Sequence, residues 1–228
     1  MASSTTTLTA ADGFAFSAYV AEPSGTPRGA VVVIQEIFGV NSHIRAVADG
    51  YAAQGYLAVA PETFARVQKG VDLGYTGPDM QQGVALKAAV EALPAPGVMQ
   101  DIQAAVTYAS RGGKVGIVGY CYGGLLVWRA AALVQGLSAA TVYYGGGATT
   151  EAEIARKPQV PVIAHFASQD DHISLESVEA LKKAHPDVPV YVYDAHHGFN
   201  CDQRGSYDAP SAKLALERTL AFFEKHLR

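Results

Sequence analysis

The chain has 228 residues, of which 49% are hydrophobic and 17% charged, and its formal net charge is −4 at pH 7. This composition is typical of a globular chain with a sizeable core, so we expect residues 1–228 to form a single domain. The mild negative charge and the lack of a basic stripe argue against nucleic-acid binding. Apolar runs such as Ala30–Ile34 are far too short to span a membrane, and the N-terminus lacks signal-peptide features, which together predict a cytoplasmic protein.

Strand-like and helix-like patterns alternate along the whole chain. Residues 14–21 alternate apolar and polar side chains, which favours an antiparallel edge strand or one arm of a hairpin. The later strand-like runs are apolar on both faces, as in buried parallel strands; they cover residues 30–34, 57–60, 115–118, 140–144, 162–166 and 188–193. Helical spacing predicts helices over residues 41–54, 98–110, 125–134 and 211–227. The alternation predicts an α/β fold with a mostly parallel central sheet and helices on both faces.

Residues 70–96 are the least regular part of the chain. They are rich in glycine, glutamine and proline, which favours a loop or a small insertion over the sheet. Two interpretations stay open for this segment, a lid over a substrate and an ordinary surface connection.

A short glycine-rich turn carries the most specific chemical signal. Residues 119–124 (GYCYGG) join a predicted strand directly to a predicted helix, which is the context of the nucleophile-elbow pattern. Glycine fits at 119 and 123 because larger side chains would collide with neighbouring elements at so sharp a turn. The helix start would stabilise a thiolate at Cys121, and the backbone N–H of Tyr122 would supply one donor of an oxyanion hole. A dinucleotide-binding loop does not fit, since the G-x-G-x-x-G order is absent, and no G-x-S-x-G motif offers a serine nucleophile.

The partners of a nucleophile on such an elbow follow in the order acid, then histidine. After the strand-like run 162–166 come two adjacent aspartates, and we favour Asp170 over Asp171 because an apolar residue, Ile173, follows it three positions later. Near the end of the chain, His197 is favoured over His196 as the base, because a glycine and a phenylalanine follow it. The sequence therefore predicts a catalytic triad of Cys121, His197 and Asp170.

The remaining histidines do not suggest a metal site. They are scattered along the chain, and neither an H-E-x-x-H nor a C-x-x-C motif occurs. The two cysteines, Cys121 and Cys201, do not form a disulfide framework in a chain of this kind. We therefore expect neither a metal nor a cofactor.

With these residues in place, the chain resembles the dienelactone hydrolase family nearly from end to end. The resemblance lies in residues 35–41 (QEIFGVN), residues 119–124 (GYCYGG), Asp170 with Ile173, and residues 197–199 (HGF). It implies the α/β-hydrolase fold and carboxylic ester hydrolase activity. It also implies that Glu36 contacts the resting thiol and helps to deprotonate it, and that the backbone N–H of Ile37 is the second oxyanion donor.

The chain departs from the family pattern at the arginines that hold a substrate carboxylate. The expected segment, residues 78–84, contains no arginine, and the second expected position is Cys201. Arg204 lies close enough in sequence to substitute, and Tyr144 is a second candidate for shaping the substrate pocket. The departure puts an anionic lactone in doubt, because a buried carboxylate without a cationic partner is costly.

The leading hypothesis is a cysteine-nucleophile hydrolase that cleaves a small ester or lactone through an acyl-thioester, as a monomer or a small homo-oligomer. The alternative is a non-catalytic binding or thiol redox-sensing protein on a hydrolase scaffold, since an activated thiolate is readily oxidised.

Overall fold

The strand-like runs form strands of one eight-stranded sheet in the computed structural model, which describes residues 2–228. The strands are β1 Ala2–Thr9, β2 Ala15–Glu22, β3 Ala30–Ile34, β4 Leu57–Pro61, β5 Val115–Tyr120, β6 Leu137–Tyr143, β7 Val162–Ala167 and β8 Val190–Tyr193. Their order in the sheet is β1-β2-β4-β3-β5-β6-β7-β8. The pairs β1–β2 and β2–β4 are antiparallel, and the other pairs are parallel, so the sheet is mostly parallel as predicted.

Helices cover both faces of the sheet and bury the strands at its centre. Every residue of β3, β4, β5 and β7 is buried, which explains why those runs are apolar on both faces. The helices are α1 Ser42–Ala53, α2 Gly77–Glu91, α3 Met99–Ala109, α4 Tyr122–Leu133, α5 Glu151–Ile154, α6 Leu175–Ala184 and α7 Ala209–Leu227. Within residues 2–228, none of the helices is both long and apolar enough to cross a membrane.

The expectation of an irregular segment over residues 70–96 was wrong in its centre, where α2 forms. Thr76 and Asp79 build a capping box at the start of this helix, and Pro78 fits its first turn. Few residues of α2 are buried and its apolar residues do not follow one clear stripe, so the periodic signal was weak.

The first strand was also missed by sequence reasoning. β1 is a run of serines and threonines that pairs along its whole length with β2, and most of its side chains are exposed. Its stability comes from backbone pairing at the sheet edge, which leaves little hydrophobic pattern in the sequence.

The parallel strands place the chemical residues at one edge of the sheet. Strands β3, β5 and β7 are parallel, so their carboxyl ends lie on the same side. Glu36 follows β3, Cys121 follows β5, and Asp170 follows β7 within a few residues. Sites of open α/β sheets lie at this edge, and the candidate site does so here.

Candidate active site

Cys121 lies on a strained turn between β5 and α4. Its φ of 54° and ψ of −116° are unusual for a residue with a side chain. A Cβ at Gly119 would lie 2.2 Å from the carbonyl oxygen of Gly123, and a Cβ at Gly123 would lie 2.4 Å from that of Gln35. The two glycines are therefore required by backbone contacts on both sides of the turn, as the sequence pattern predicts.

Backbone hydrogen bonds hold the turn, one to the neighbouring strand β6 and one within the turn. The Cys121 N–H donates to the carbonyl oxygen of Tyr143 at 3.1 Å, and the Cys121 carbonyl accepts from the Gly124 N–H at 2.9 Å. Tyr122 is the first residue of α4, so its N–H has no acceptor inside the helix. That N–H is therefore available to an acceptor outside the helix.

His197 and Asp170 form a close pair beside this turn. The Nδ1 atom of His197 lies 2.7 Å from Oδ2 of Asp170, whose side chain is fully buried. The other oxygen of Asp170 accepts from the N–H groups of His172 and Ile173 at 2.8 and 3.1 Å. These bonds fix the carboxylate in the turn after β7 and orient the His197 ring.

The alternative acid, Asp171, and the alternative base, His196, do not take part in this pair. Asp171 is exposed to solvent. His196 is also exposed, and its Nδ1 meets the carbonyl oxygen of Gln169 at 2.9 Å. The geometry thus favours Asp170 and His197 in each of the two pairs that the sequence left open.

The electrostatics of the pair favour a protonated histidine. Burial favours the neutral ring of His197, but the hydrogen bond with Asp170 and the nearby Cys121 side chain outweigh it and raise its pKa to about 10. Burial alone would raise the pKa of Asp170, yet the hydrogen bond and charge of His197 lower it overall. The Nε2 atom of His197 is buried and, among residues 2–228, has no partner other than its interaction with the nearby Cys121 side chain.

A cavity of about 320 Å³ opens beside Cys121 and His197. Cys121, His197 and the predicted oxyanion residue Ile37 all line this cavity. Its other walls come from α2, from the loop after β6 and from the loop that carries Arg204; the lining residues are Ile37, Phe38, Met80, Val84, Lys87, Cys121, Gly146, Gly147, His172, His197 and Arg204. This volume suits a small substrate.

Glu36 is fully buried behind the cavity, and both of its carboxylate oxygens are engaged. Oε1 lies 3.4 Å from Nη1 of Arg204, and Oε2 accepts from the Tyr75 hydroxyl at 3.2 Å. Among the described residues, no hydrogen bond joins Glu36 to Cys121, and the contact with the resting thiol that the resemblance implies stays a prediction. Arg204 therefore contacts the carboxylate of Glu36 and also lines the cavity.

Tyr144 lies outside the cavity lining. Its side chain is completely buried, its φ is 34°, and its ring lies 5.1 Å from the His197 ring, measured between centroids. The predicted contact of Tyr144 with substrate therefore has no structural support. The Tyr144 ring instead packs against the ring of His197.

Sequence reasoning missed the cation that α2 brings to the cavity. Met80, Val84 and Lys87 all line it, and their spacing of four and three residues places them on one face of the helix. That spacing was the available signal within the segment left open as a lid. The cavity is thus flanked by two cationic side chains, Lys87 and Arg204.

The helix is also tied to the elbow. The Tyr122 hydroxyl donates to Glu91 of α2 at 2.7 Å, and Arg129 of α4 donates to both oxygens of Glu91 at 2.9 Å. Burial and the acceptor Glu91 both raise the pKa of Tyr122, so its hydroxyl keeps its proton. Helix α2 is therefore a fixed wall of the cavity on its Glu91 side.

Comparison with known proteins gives a consistent picture. The dienelactone hydrolase family matches residues 16–227. Carboxymethylenebutenolidases of Pseudomonas putida and Pseudomonas knackmussii are each 34% identical to the chain over 221 residues, which cover 92% of this chain and 92% of each relative. A solved structure of a dienelactone hydrolase-like promiscuous phosphotriesterase from metagenomic libraries has a TM-score of 0.80 at 20% identity over 100% of both chains, which shows the shared α/β-hydrolase fold. The match over nearly the whole chain, together with these relatives, shows that the protein belongs to the dienelactone hydrolase family.

Proposed function

We propose that this carboxylic ester hydrolase uses Cys121 as its nucleophile and cleaves small esters or lactones through an acyl-thioester. One observation carries the proposal: the strained elbow cysteine and His197, which is paired with the buried Asp170, line the same 320 Å³ cavity. The fold and the family support hydrolysis of an ester or lactone, and the identity of the nucleophile is the added step.

The proposed reaction has two halves. The Cys121 thiolate attacks the substrate carbonyl, and the oxyanion is held by the N–H groups of Ile37 and Tyr122. The carbon–oxygen bond to the alcohol breaks, and His197, protonated at neutral pH, gives its proton to the leaving alkoxide. The neutral ring takes a proton from water, whose oxygen attacks the thioester carbonyl. The carbon–sulfur bond then breaks, which releases the acid and restores the Cys121 thiolate.

Glu36 is proposed to activate the thiol, as the resemblance implies. In the resting arrangement Arg204 and Tyr75 hold its two oxygens. An anionic group of the substrate would compete for Arg204, and this would free a Glu36 oxygen to accept the Cys121 proton. Lys87, which also lines the cavity, would hold the same anionic group. A small ester or lactone with a carboxylate is therefore the proposed substrate class.

The nucleophile is tested with the variant Cys121→Ala. We expect loss of ester turnover with the fold intact, because Cys121 is only half-buried and alanine keeps its Cβ while removing the thiol. Wild type should show a burst of alcohol release and a covalent acyl adduct on Cys121 by mass spectrometry. Full activity of Cys121→Ala would rule the proposal out, and rapid alkylation of Cys121 without any ester turnover would favour the redox-sensing alternative.

The substrate class is tested with matched neutral and anionic esters and lactones. We expect Lys87→Met and Arg204→Met to raise KM for the anionic members by about tenfold or more, since each removes a cation from the cavity. The neutral members should change much less. Lys213→Met, at an exposed position on α7, is the control. Equal losses for neutral and anionic substrates would contradict the proposed class.

A cytoplasmic location and a monomeric or small homo-oligomeric state belong to the same proposal. The two free cysteines, Cys121 and Cys201, support a reducing compartment.

A further inference from the structure

A second group of reactive side chains lies behind the active-site cavity. Glu36 follows β3, His43 lies in the first turn of α1, and Cys201 lies in the loop after β8. One donor atom of each residue, namely a carboxylate oxygen, a ring nitrogen and the thiol sulfur, lies within 4.8 Å of the other two. All three side chains are buried. The proposed reaction uses only Glu36, so His43 and Cys201 have no role in it.

His43 has the arrangement of a metal-ligating histidine. Its Nδ1 lies 3.2 Å from Oδ1 of Asp202, which fixes the ring. Its Nε2 is buried and finds no hydrogen-bond partner in the part of the chain that the structure describes. A buried polar atom left unpaired destabilises the folded chain, so a ligand on Nε2 would remove a penalty. Histidines that bind metals are commonly oriented in this way by a carboxylate on the other nitrogen.

The donor set selects the kind of ion. A thiolate, an imidazole and a carboxylate are the ligands of zinc, whereas magnesium and calcium take oxygen ligands. Bonds of about 2.0–2.3 Å place tetrahedral donors roughly 3.5 Å apart, so the cluster needs to contract by little more than about 1 Å. A fourth ligand would be water, as in zinc sites with three protein ligands.

The charges also fit a divalent cation. On binding, the Cys201 thiol loses its proton to the solvent as the zinc–sulfur bond forms, so that the thiolate and the Glu36 carboxylate neutralise the ion. Zinc would replace Arg204 as the partner of Glu36. Arg204 keeps other contacts, since its guanidinium lies 5.7 Å from the Phe38 ring centroid and 5.8 Å from that of Tyr75.

We infer that Glu36, His43 and Cys201 form a buried zinc site whose occupancy withdraws Glu36 from catalysis, so that zinc inhibits the enzyme. The binding site stands on the geometry of the cluster alone. The inhibition rests on the proposed function, because it requires Glu36 to activate Cys121.

Metal binding is measured in the Cys121→Ala background, which removes the competing active-site thiol. Cadmium serves as the spectroscopic probe, because a cadmium–thiolate bond absorbs in the ultraviolet, and calorimetry measures zinc. We expect one ion per chain and a charge-transfer band. A second substitution, Cys201→Ala, should abolish the band.

Further variants test the other members of the cluster. His43→Gln should weaken zinc binding by at least about tenfold, and Asp202→Asn by about tenfold, because Asp202 orients the ligand ring. His172→Ala is the control, since this histidine lines the cavity and is not part of the cluster, and it should bind zinc like its parent. Circular dichroism checks that each variant is folded.

The outcomes separate the site from its consequence. A Cys121→Ala chain that binds neither ion, or zinc affinity that is unchanged by Cys201→Ala and His43→Gln, would overturn the site. In the chain with Cys121 present, zinc should lower ester turnover, and Cys201→Ala should make turnover resistant to zinc. Equal zinc inhibition with and without Cys201 would overturn the inhibitory consequence. A chain with no ester turnover would overturn the proposed function, while the cadmium band would still decide the site.

Discussion

The chemistry of this protein depends on how a few buried side chains set each other's charge. His197 and Asp170 lie 2.7 Å apart, and each stabilises the charged form of the other. The pair faces Cys121, whose position is enforced by two glycines of the elbow. The electrostatic state of the site is therefore a property of the folded chain, and the stability of the fold depends on pH through the same residues.

The first prediction concerns pH and stability. The pKa of His197 is raised from 6.5 to about 10, so the folded chain holds a proton that the unfolded chain has lost between these values. The stabilisation from this group is fully present below pH 6.5 and is lost as the pH rises toward 10. Asp170 acts in the opposite sense, because its lowered pKa stabilises the fold above its ordinary pKa of 3.8, and this is lost on acidification. We expect the free energy of unfolding to fall at both ends.

The variant Asp170→Asn checks this prediction. It should flatten the pH dependence of the free energy of unfolding between pH 6.5 and 10, measured by urea denaturation. It should also lower kcat by about 10²–10⁴-fold, because the base loses the group that orients it. Asp171→Asn, at the exposed neighbour, should keep both the pH profile and the activity of wild type. An unchanged pH profile in Asp170→Asn would contradict the assignment of the pair.

At the scale of elements, helix α2 decides the shape of the cavity. It carries Met80, Val84 and Lys87 into the lining, and its Glu91 holds the Tyr122 side chain at the elbow. It also packs closely on the loop after β3. A Cβ at Gly83 would lie 2.5 Å from the carbonyl oxygen of Ile37, the proposed oxyanion residue. Helix α2 therefore sets the position of the backbone on which the oxyanion hole depends.

The second prediction is that Gly83→Ala impairs catalysis through this contact. Alanine favours a helix by about 1 kcal/mol over glycine, so intrinsic propensity alone would stabilise the variant. The new methyl group must instead displace α2 or the Ile37 backbone, and we expect kcat/KM to fall by at least about tenfold.

A matched substitution on the same helix isolates this effect. No described atom lies within 4 Å of a Cβ placed at Gly77, so Gly77→Ala should keep wild-type activity. Steady-state kinetics on both variants make the comparison. Wild-type kcat/KM in Gly83→Ala would show that the wall of the cavity is not rigid.

At the scale of the whole molecule, a buried ion pair ties the antiparallel edge of the sheet to its helical cover. Arg66 follows β4 and donates to both oxygens of Asp101 on α3, at 2.7 and 2.8 Å. It also donates to Asp12, in the turn between β1 and β2. Asp101 is only 1% exposed, so its charge depends on Arg66 for compensation. Three distant parts of the chain meet at one guanidinium.

The third prediction is that Arg66→Met lowers the free energy of unfolding by about 3–5 kcal/mol, because it leaves a buried carboxylate unpaired. Asp12→Asn should cost clearly less, since it leaves the Arg66–Asp101 pair in place. The double variant Arg66→Met/Asp101→Leu should recover most of the lost stability, because it removes the uncompensated charge. Equal losses in the single and double variants, measured by chemical denaturation, would contradict the argument.

Local patterns in the sequence determined the central sheet, the elbow and the order of the acid and the base. These features depend on residues that are close in the chain: buried strands need continuous apolar runs, and a sharp strand-to-helix turn needs glycine at 119 and 123. The sequence also predicts Asp170 as the acid and His197 as the base, and these roles stay predictions. The two residues lie in different loops, and the structure brings Nδ1 of His197 within 2.7 Å of Oδ2 of Asp170.

Only the tertiary structure decided which distant side chains meet. It showed that Arg204 pairs with Glu36, that Lys87 reaches the cavity from a helix with a weak pattern, and that Tyr144 lies beneath the base. It also brought Glu36, His43 and Cys201 together, although no short motif contains them. The physical reason is that the sheet gathers the loops after its parallel strands at one edge, so neighbours there are set by strand order and not by distance along the chain.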